Sequence, residues 1–215
     1  MNLAIRVFLL NFLALDHIFT SVLHINHKTT IDMIGLSHHI PALYNSYKIL
    51  TNINFWNDKN SYTSELSHHV ISYSFAYFLY EIIYHLKHKW PLRSSFEVQM
   101  FIHAIMSSIG FFYVYNLQKY HFYIAVFLTW EASTPFLSIA NCLYRNGMTH
   151  NLIYKINGCL FLVSFVIFRI ILGSYIFWYF LWPQVNIGLR ITGVTLNLLN
   201  IIWLNNIVRK IISAF

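Results

Sequence analysis

Three charged residues stand where an apolar chain tolerates them least. Glu81, Glu131 and Arg169 each lie well inside a long apolar run, in Leu66–Leu86, Tyr120–Leu143 and Ile156–Trp182 respectively. A charge at the centre of a membrane helix costs about 2.5–3.5 kcal/mol on insertion scales. Such residues therefore turn inward, find partners and mark functional sites. An ion pair between Arg169 and one glutamate is expected, with Glu131 preferred over Glu81, and it would serve to hold a bundle together. The other glutamate then needs a hydrogen-bond partner, a proton or water. Glu81 shares its run with Tyr73, Tyr77, Tyr80 and Tyr84, which helical spacing gathers towards one face. Gln99, His103, Ser107 and Gly110 form a stripe along the run Val98–Leu117. His103 is read as the histidine deepest in a long span, either a hydrogen-bonded structural residue or a general base and ligand-orienting donor.

The chain has 12 histidines and 2 cysteines, so metal chemistry has to be weighed. His24/His27 and His85/His88 give two H-x-x-H spacings, while the adjacent pairs His38-His39 and His68-His69 fall in separate runs. No H-x-x-H-H occurs, and His85 and His88 alternate with Lys87 and Lys89 in what reads as a basic rim. No metal ligands are expected on this reading. The two cysteines, Cys142 and Cys159, match no zinc signature and support no disulfide framework. Phosphate-cradling glycine loops, nucleophile elbows and C-x-x-C motifs are absent from the sequence.

The elements that must position these residues follow from composition. Of 215 residues, 57% are hydrophobic, 19% aromatic and only 10% charged. Soluble domains carry about 25% charged residues, so there is too little polar surface here for a water-soluble globule, and too many aromatics for disorder. An all-α, polytopic transmembrane bundle remains. Runs of about 20 apolar residues mark spans, and seven are read: Leu3–Leu23, Ile34–Leu50, Leu66–Leu86, Val98–Leu117, Tyr120–Leu143, Ile156–Trp182 and Ile191–Val208. The first carries Arg6 and Asp16, and six spans remain without it. Only Gln118-Lys119 separate the fourth from the fifth, which predicts a tight antiparallel hairpin. Alternating loops put Lys28, Lys87, Lys89, Arg93, Arg145, Lys155, Arg209 and Lys210 on one side and Arg6, Lys48, Lys59, Lys119 and Arg190 on the other. The richer side is cytosolic by the positive-inside rule, which predicts a cytosolic C-terminus. The net charge of +7 fits anionic headgroups. Because the basic residues are scattered singly rather than gathered in a patch, nucleic acid is not expected as a partner. The expected organisation is an N-terminal helix and loop over 1–33, a membrane domain over 34–208 and a short tail over 209–215. Leu36-Ser37-His38-His39 recurs as Leu66-Ser67-His68-His69, which is taken as coincidence.

Within the fifth run, Glu131-Ala132-Ser133-Thr134-Pro135-Phe136 resembles the E-x-S-T-P-F motif of TLC domain-containing proteins, the wider family of ceramide synthases and TRAM. Ser37-His38-His39 is similar to the serine–histidine opening of an early helix in that family. Tyr77-Phe78-Leu79-Tyr80-Glu81 resembles its Y-F-x-x-D segment, with Glu81 for aspartate. Phe101-Ile102-His103-Ala104 stands where a double histidine is common, and Asn157-Gly158 with Phe165 and Phe168-Arg169-Ile170 resembles its N-G…F…R-I helix. The resemblance runs from about Ile34 to Trp182.

What it implies is a multi-pass membrane protein of lipid homeostasis, in the endoplasmic reticulum or the plasma membrane, that binds membrane lipid or influences phospholipid composition. The alternative it implies is an acyl-CoA-dependent acyltransferase, with His103 as general base, Glu81 or Glu131 orienting it, and acyl-CoA as co-substrate rather than a resident cofactor. A translocon-associated structural protein is the third reading. Ala104 in place of the second histidine, and the lack of a later His-Asp pair, favour the first. Tyr77, Gln99, Ser107, Ser133, Thr134, Asn157 and Arg169 are the expected ligand-binding residues, in a pocket between the third to sixth spans that His103 faces. A basic rim of Lys87, Lys89, Arg93, Arg145 and Lys155 would hold an anionic headgroup at its mouth.

Overall fold

A computed structural model describes residues 3–180 and 185–212. The end of the sixth expected span, Leu181-Trp182, lies outside the described residues, as does the end of the expected tail. Among the described residues every regular element is helical, the all-α bundle that the composition requires. In order these are α1 (Leu3–His17), prolonged by a π-helical stretch Ile18–Val22; α2 (His27–Leu50); the short α3 (Ile53–Asn57); α4 (Glu65–His88); and α5 (Ser95–Leu117). There follow α6 (His121–Thr129), a 3-10 turn Trp130–Ser133, and α7 (Thr134–Arg145). Then come α8 (Leu152–Ser164), a π-helical stretch Phe165–Ile171, α9 (Leu172–Phe180) and α10 (Ile187–Ile212).

Among the described residues, five continuous helical segments are long and apolar enough to cross a membrane: Leu3–Val22, Ser95–Leu117, His121–Arg145, Leu152–Tyr175 and Ile187–Arg209. The other two long helices, α2 and α4, have 24 residues each, about 36 Å at the α-helical rise. They reach far enough but carry more polar side chains, because their polar faces turn into the bundle: His38, His39 and Ser46 of α2 and Ser67, Ser72, Ser74 and Glu81 of α4 are all buried. The chain is a multi-pass membrane protein. Its outward faces agree, since Ile102, Ile109 and Phe112 of α5, Leu160 and Val163 of α8 and Ile167 of the π-helical stretch are exposed, an apolar surface of the kind that lipid covers.

Helix starts follow local chemistry. Asn26 caps α2 by accepting the Thr29 N–H, and Ser64 with Ser67, and Ser94 with Glu97, form reciprocal capping boxes for α4 and α5. α2 therefore begins ahead of the expected boundary at 33/34, and α10 runs past 208 to Ile212. Pro41 inside α2 has no N–H to give the Ser37 carbonyl. The Tyr73 hydroxyl donates to that carbonyl instead, at 2.7 Å, as a dry interior requires.

α4 is the central helix and packs against α1, α2, α5 and α6, so the N-terminal helix belongs to the bundle rather than standing apart from it. α10 lies on α5 and α9, and α7 on α8. Gly188 sits against the Tyr113 ring, where an added Cβ would collide with it, and Gly110 against Thr192, where a Cβ would come within 2.9 Å. Small residues thus bring α5 and α10 together. The connection between α5 and α6 is as short as expected, with Gln118 and Tyr120 in left-handed conformation. The two helices nevertheless splay apart: α6 packs chiefly on α2, and α5 on α4 and α10. The wedge between them is the bundle's cleft.

Candidate functional site

The E-x-S-T-P-F segment is built by its proline. Pro135 lacks the N–H that would bond the Glu131 carbonyl, and its ring crowds that carbonyl. The chain tightens into the 3-10 turn Trp130–Ser133, in which the Thr134 N–H takes the Glu131 carbonyl instead. Opposite stands the π-helical stretch that carries Arg169. Such distortions free backbone groups and re-aim side chains, and here the freed groups meet. The Arg169 guanidinium donates through Nε to the Trp130 carbonyl at 3.1 Å and to Ser133 Oγ at 3.0 Å. Nη2 donates to Thr134 Oγ1 at 3.1 Å, and Nη1 to Asn200 Oδ1 at 3.3 Å.

Glu131 lies 3.9 Å from Arg169 Nη2, the longer end of an ion pair. Thr134 closes the gap, donating to Glu131 Oε2 at 2.7 Å while it accepts from the arginine. Of the two expected acidic partners, Glu131 is the one within ion-pair distance. Glu131, Ser133 and Thr134 of the motif therefore all serve one buried cation.

From Glu131 a polar chain runs into α2 and α4. His39 Nδ1 is 3.0 Å from Glu131 Oε2 and 3.2 Å from His38 Nδ1, and His38 Nε2 is 3.0 Å from Ser74 Oγ. The Tyr77 ring stacks on His38, with centroids 3.9 Å apart, and its hydroxyl donates to Glu81 Oε1 at 3.0 Å, near His39 Nε2 at 3.5 Å. An assignment that satisfies the chain has His39 donating from Nδ1 towards Glu131 and His38, and His38 donating to Ser74; these tautomers are assigned from the bonding pattern. Gly35 leaves room for it, since a Cβ there would press on His39 Nε2 at 3.1 Å. Glu81 Oε2 is buried without a hydrogen-bond partner.

The cleft reaches this chain at one point. About 450 Å³ including its open side, it is lined by Phe78 of α4, Ser107, Gly110 and Phe111 of α5, Ile124, Phe127 and Leu128 of α6, Trp130 and Glu131 of the 3-10 turn, and Leu189, Thr192 and Leu196 of α10. The seventh span, not the expected sixth, forms its far wall; Arg169 of the sixth reaches Glu131 from behind. His103 does not line it. Phe78 stands between, lining the cleft while its ring meets the imidazole edge-on at 5.7 Å. His103 is half-buried, lies 5.5 Å from the Trp203 ring, and its Nδ1 is buried without a partner.

The remaining expected site residues divide. Ser107 lines the cleft. Tyr77, Ser133, Thr134 and Arg169 belong to the polar chain behind it. Gln99 accepts from Trp203 Nε1 at 2.9 Å, and Asn157 donates to the Phe136 carbonyl at 2.7 Å, so both tie helices together away from the cleft. The basic rim is partly used within the protein, with Lys89 on Glu97 at 3.6 Å and Arg145 paired with Asp32.

Sequence reasoning missed His38 and His39 as site residues, because they stand near the start of their run rather than at its middle. The adjacent pair was the available signal. Its second copy does different work: Ser67 caps α4 and bonds His121 Nδ1 at 2.7 Å, while His68 meets the His121 ring at 4.6 Å. Asn200 gave no signal.

The TLC domain profile matches residues 33–209. A TLC domain-containing protein of Acanthamoeba polyphaga mimivirus is 32% identical over 111 residues, 52% of this chain and 54% of that protein. The match thus spans about half of that relative's length. The profile takes in the motif, its arginine and both histidines of the polar chain, and the chain belongs to the TLC-domain family.

Proposed function

We propose that the protein binds membrane lipid, an acyl chain entering the cleft between α5 and α6, and so acts on membrane phospholipid composition. The supporting observation is the character of the cleft wall. It is apolar except for Ser107, Thr192 and Glu131, and among the described residues lining it there is no histidine. The Glu131 carboxylate already faces Thr134, His39 and Arg169, so it marks the cleft's polar end as a fixed acceptor.

Lipid extraction and mass spectrometry of the protein purified in mild detergent is expected to return a restricted set of acyl lipids. A profile that matches bulk membrane would contradict the proposal.

One observation favours a second reading. His39 lies one carboxylate away from the cleft, and in the other tautomer, with its proton on Nε2, its Nδ1 has the type and position to take a proton that Glu131 passes on from an amine or hydroxyl during acyl transfer. That base is His39 rather than His103. Turnover of acyl-CoA with an amine or alcohol acceptor, lost in His39→Ala and retained in His103→Ala, would replace binding with catalysis.

The same proposal takes the endoplasmic reticulum from the family resemblance, and a cytosolic C-terminus from the excess of basic loop residues on that side. A tag after Phe215 is expected to be cut by protease added to intact microsomes; protection would reverse the topology.

A further inference from the structure

Away from the cleft, three potential metal ligands converge where α1, α2 and α4 meet. Asp16 comes from the last turn of α1, His27 from the first residue of α2, and His88 from the last residue of α4. Their ligand atoms all lie within 4.8 Å of one another, although the three are far apart in sequence. The imidazoles of His27 and His88 are 4.1 Å apart between centroids. His88 Nε2 is buried and has no hydrogen-bond partner, an unusual state for a group with a strong preference for one.

We infer that Asp16, His27 and His88 form a binding site for a divalent transition-metal ion of the zinc type. Two imidazoles and one carboxylate are a three-ligand zinc set that leaves a fourth position for water. Tetrahedral zinc with bonds of about 2.0–2.1 Å sets neighbouring ligand atoms roughly 3.3–3.4 Å apart, so the side chains close by about 1.4 Å at most. His27 is exposed, so its imidazole has open space on the solvent side in which to turn.

The surroundings are those of a supported site. The Tyr80 hydroxyl donates to Asp16 Oδ1 at 3.4 Å, and the Tyr84 hydroxyl to the His27 carbonyl at 3.1 Å, holding a ligand and the start of α2 as outer-shell groups do. Lys87 Nζ lies 3.8 Å from Asp16 Oδ2, but its side chain is largely exposed, so water can solvate its ammonium if a metal ion takes the carboxylate. His85 is committed elsewhere, its Nδ1 on the Glu81 carbonyl at 2.8 Å. A bound ion would clip α1 to α2 and α4, so its effect is on stability and is independent of the cleft.

The test uses the full chain, purified in detergent through a tag without histidine, stripped with chelator and titrated with zinc. Wild type is expected to retain about one zinc per chain after desalting, and to unfold at a higher temperature with zinc than without. His27→Ala, at an exposed position, is expected to weaken zinc binding about tenfold or more and to abolish the thermal shift, with Asp16→Asn behaving alike. His69→Ala, an exposed histidine on the other end of α4, is expected to match wild type. No zinc retained by wild type, or equal zinc in wild type and His27→Ala, would overturn the inference.

Discussion

Arg169→Ala is expected to destabilise the bundle by about 3–5 kcal/mol, the cost of stranding a buried charge by removing its partner. The guanidinium donates to Trp130, Ser133, Thr134 and Asn200. Its loss leaves Asn200, whose Nδ2 is already buried without a partner, wholly unsatisfied. It also leaves Glu131 to His39 and Thr134 alone. Removing both charges leaves no stranded ion, so Arg169→Met with Glu131→Gln is expected to cost less than Arg169→Ala. Thermal unfolding of wild type, Arg169→Met, Glu131→Gln and the double variant in one detergent measures this. Strictly additive losses would show that the two residues do not act together.

Ser107→Trp is expected to empty the cleft of lipid while the fold survives. Ser107 is 5% exposed and stands in the α5 wall opposite Glu131, so an indole there fills the space an acyl chain would occupy. A loss of about 1.4 kcal/mol of binding is tenfold in affinity, and complete blockage exceeds it. Overpacking itself costs about 1–3 kcal/mol, which an unfolding curve separates from lost binding. Ile102→Trp, on the exposed side of the same helix, is the matched control and is expected to keep its lipid. His103→Ala is expected to be mild, because Phe78 lies between His103 and the cleft. Equal lipid content in Ser107→Trp and wild type would move the binding site elsewhere.

The helical bundle was legible because lipid leaves few alternatives to long apolar runs. The partnership of Arg169 with Glu131 was legible too, since a mid-span charge demands a partner. What escaped was the part settled by packing between distant segments. His38 and His39 face inward because the α2 helix turns that side to α4 and α6. The run's average composition conceals this, just as it makes α2 and α4 less apolar than helices that face lipid. The His103 stripe is continuous with Ser107 in sequence, yet one ring from α4 divides the two. The splay of α5 from α6 could not be read from a two-residue separation, because a tight turn sets where helices start and not the angle at which they leave. Asp16, His27 and His88 belong to three separate runs, and only the bundle brings them together.

The most direct measurement is photo-crosslinking of the wild-type protein, in membranes, with a phospholipid whose acyl chain carries a diazirine near its end, followed by peptide mass spectrometry. Label is expected on the cleft wall, at Phe111, Ile124, Leu128 or Leu196, and competed by unlabelled lipid. Label confined to the outward residues Ile102, Leu160 and Ile167, and undiminished by competitor, would mean that lipid surrounds the protein without entering it.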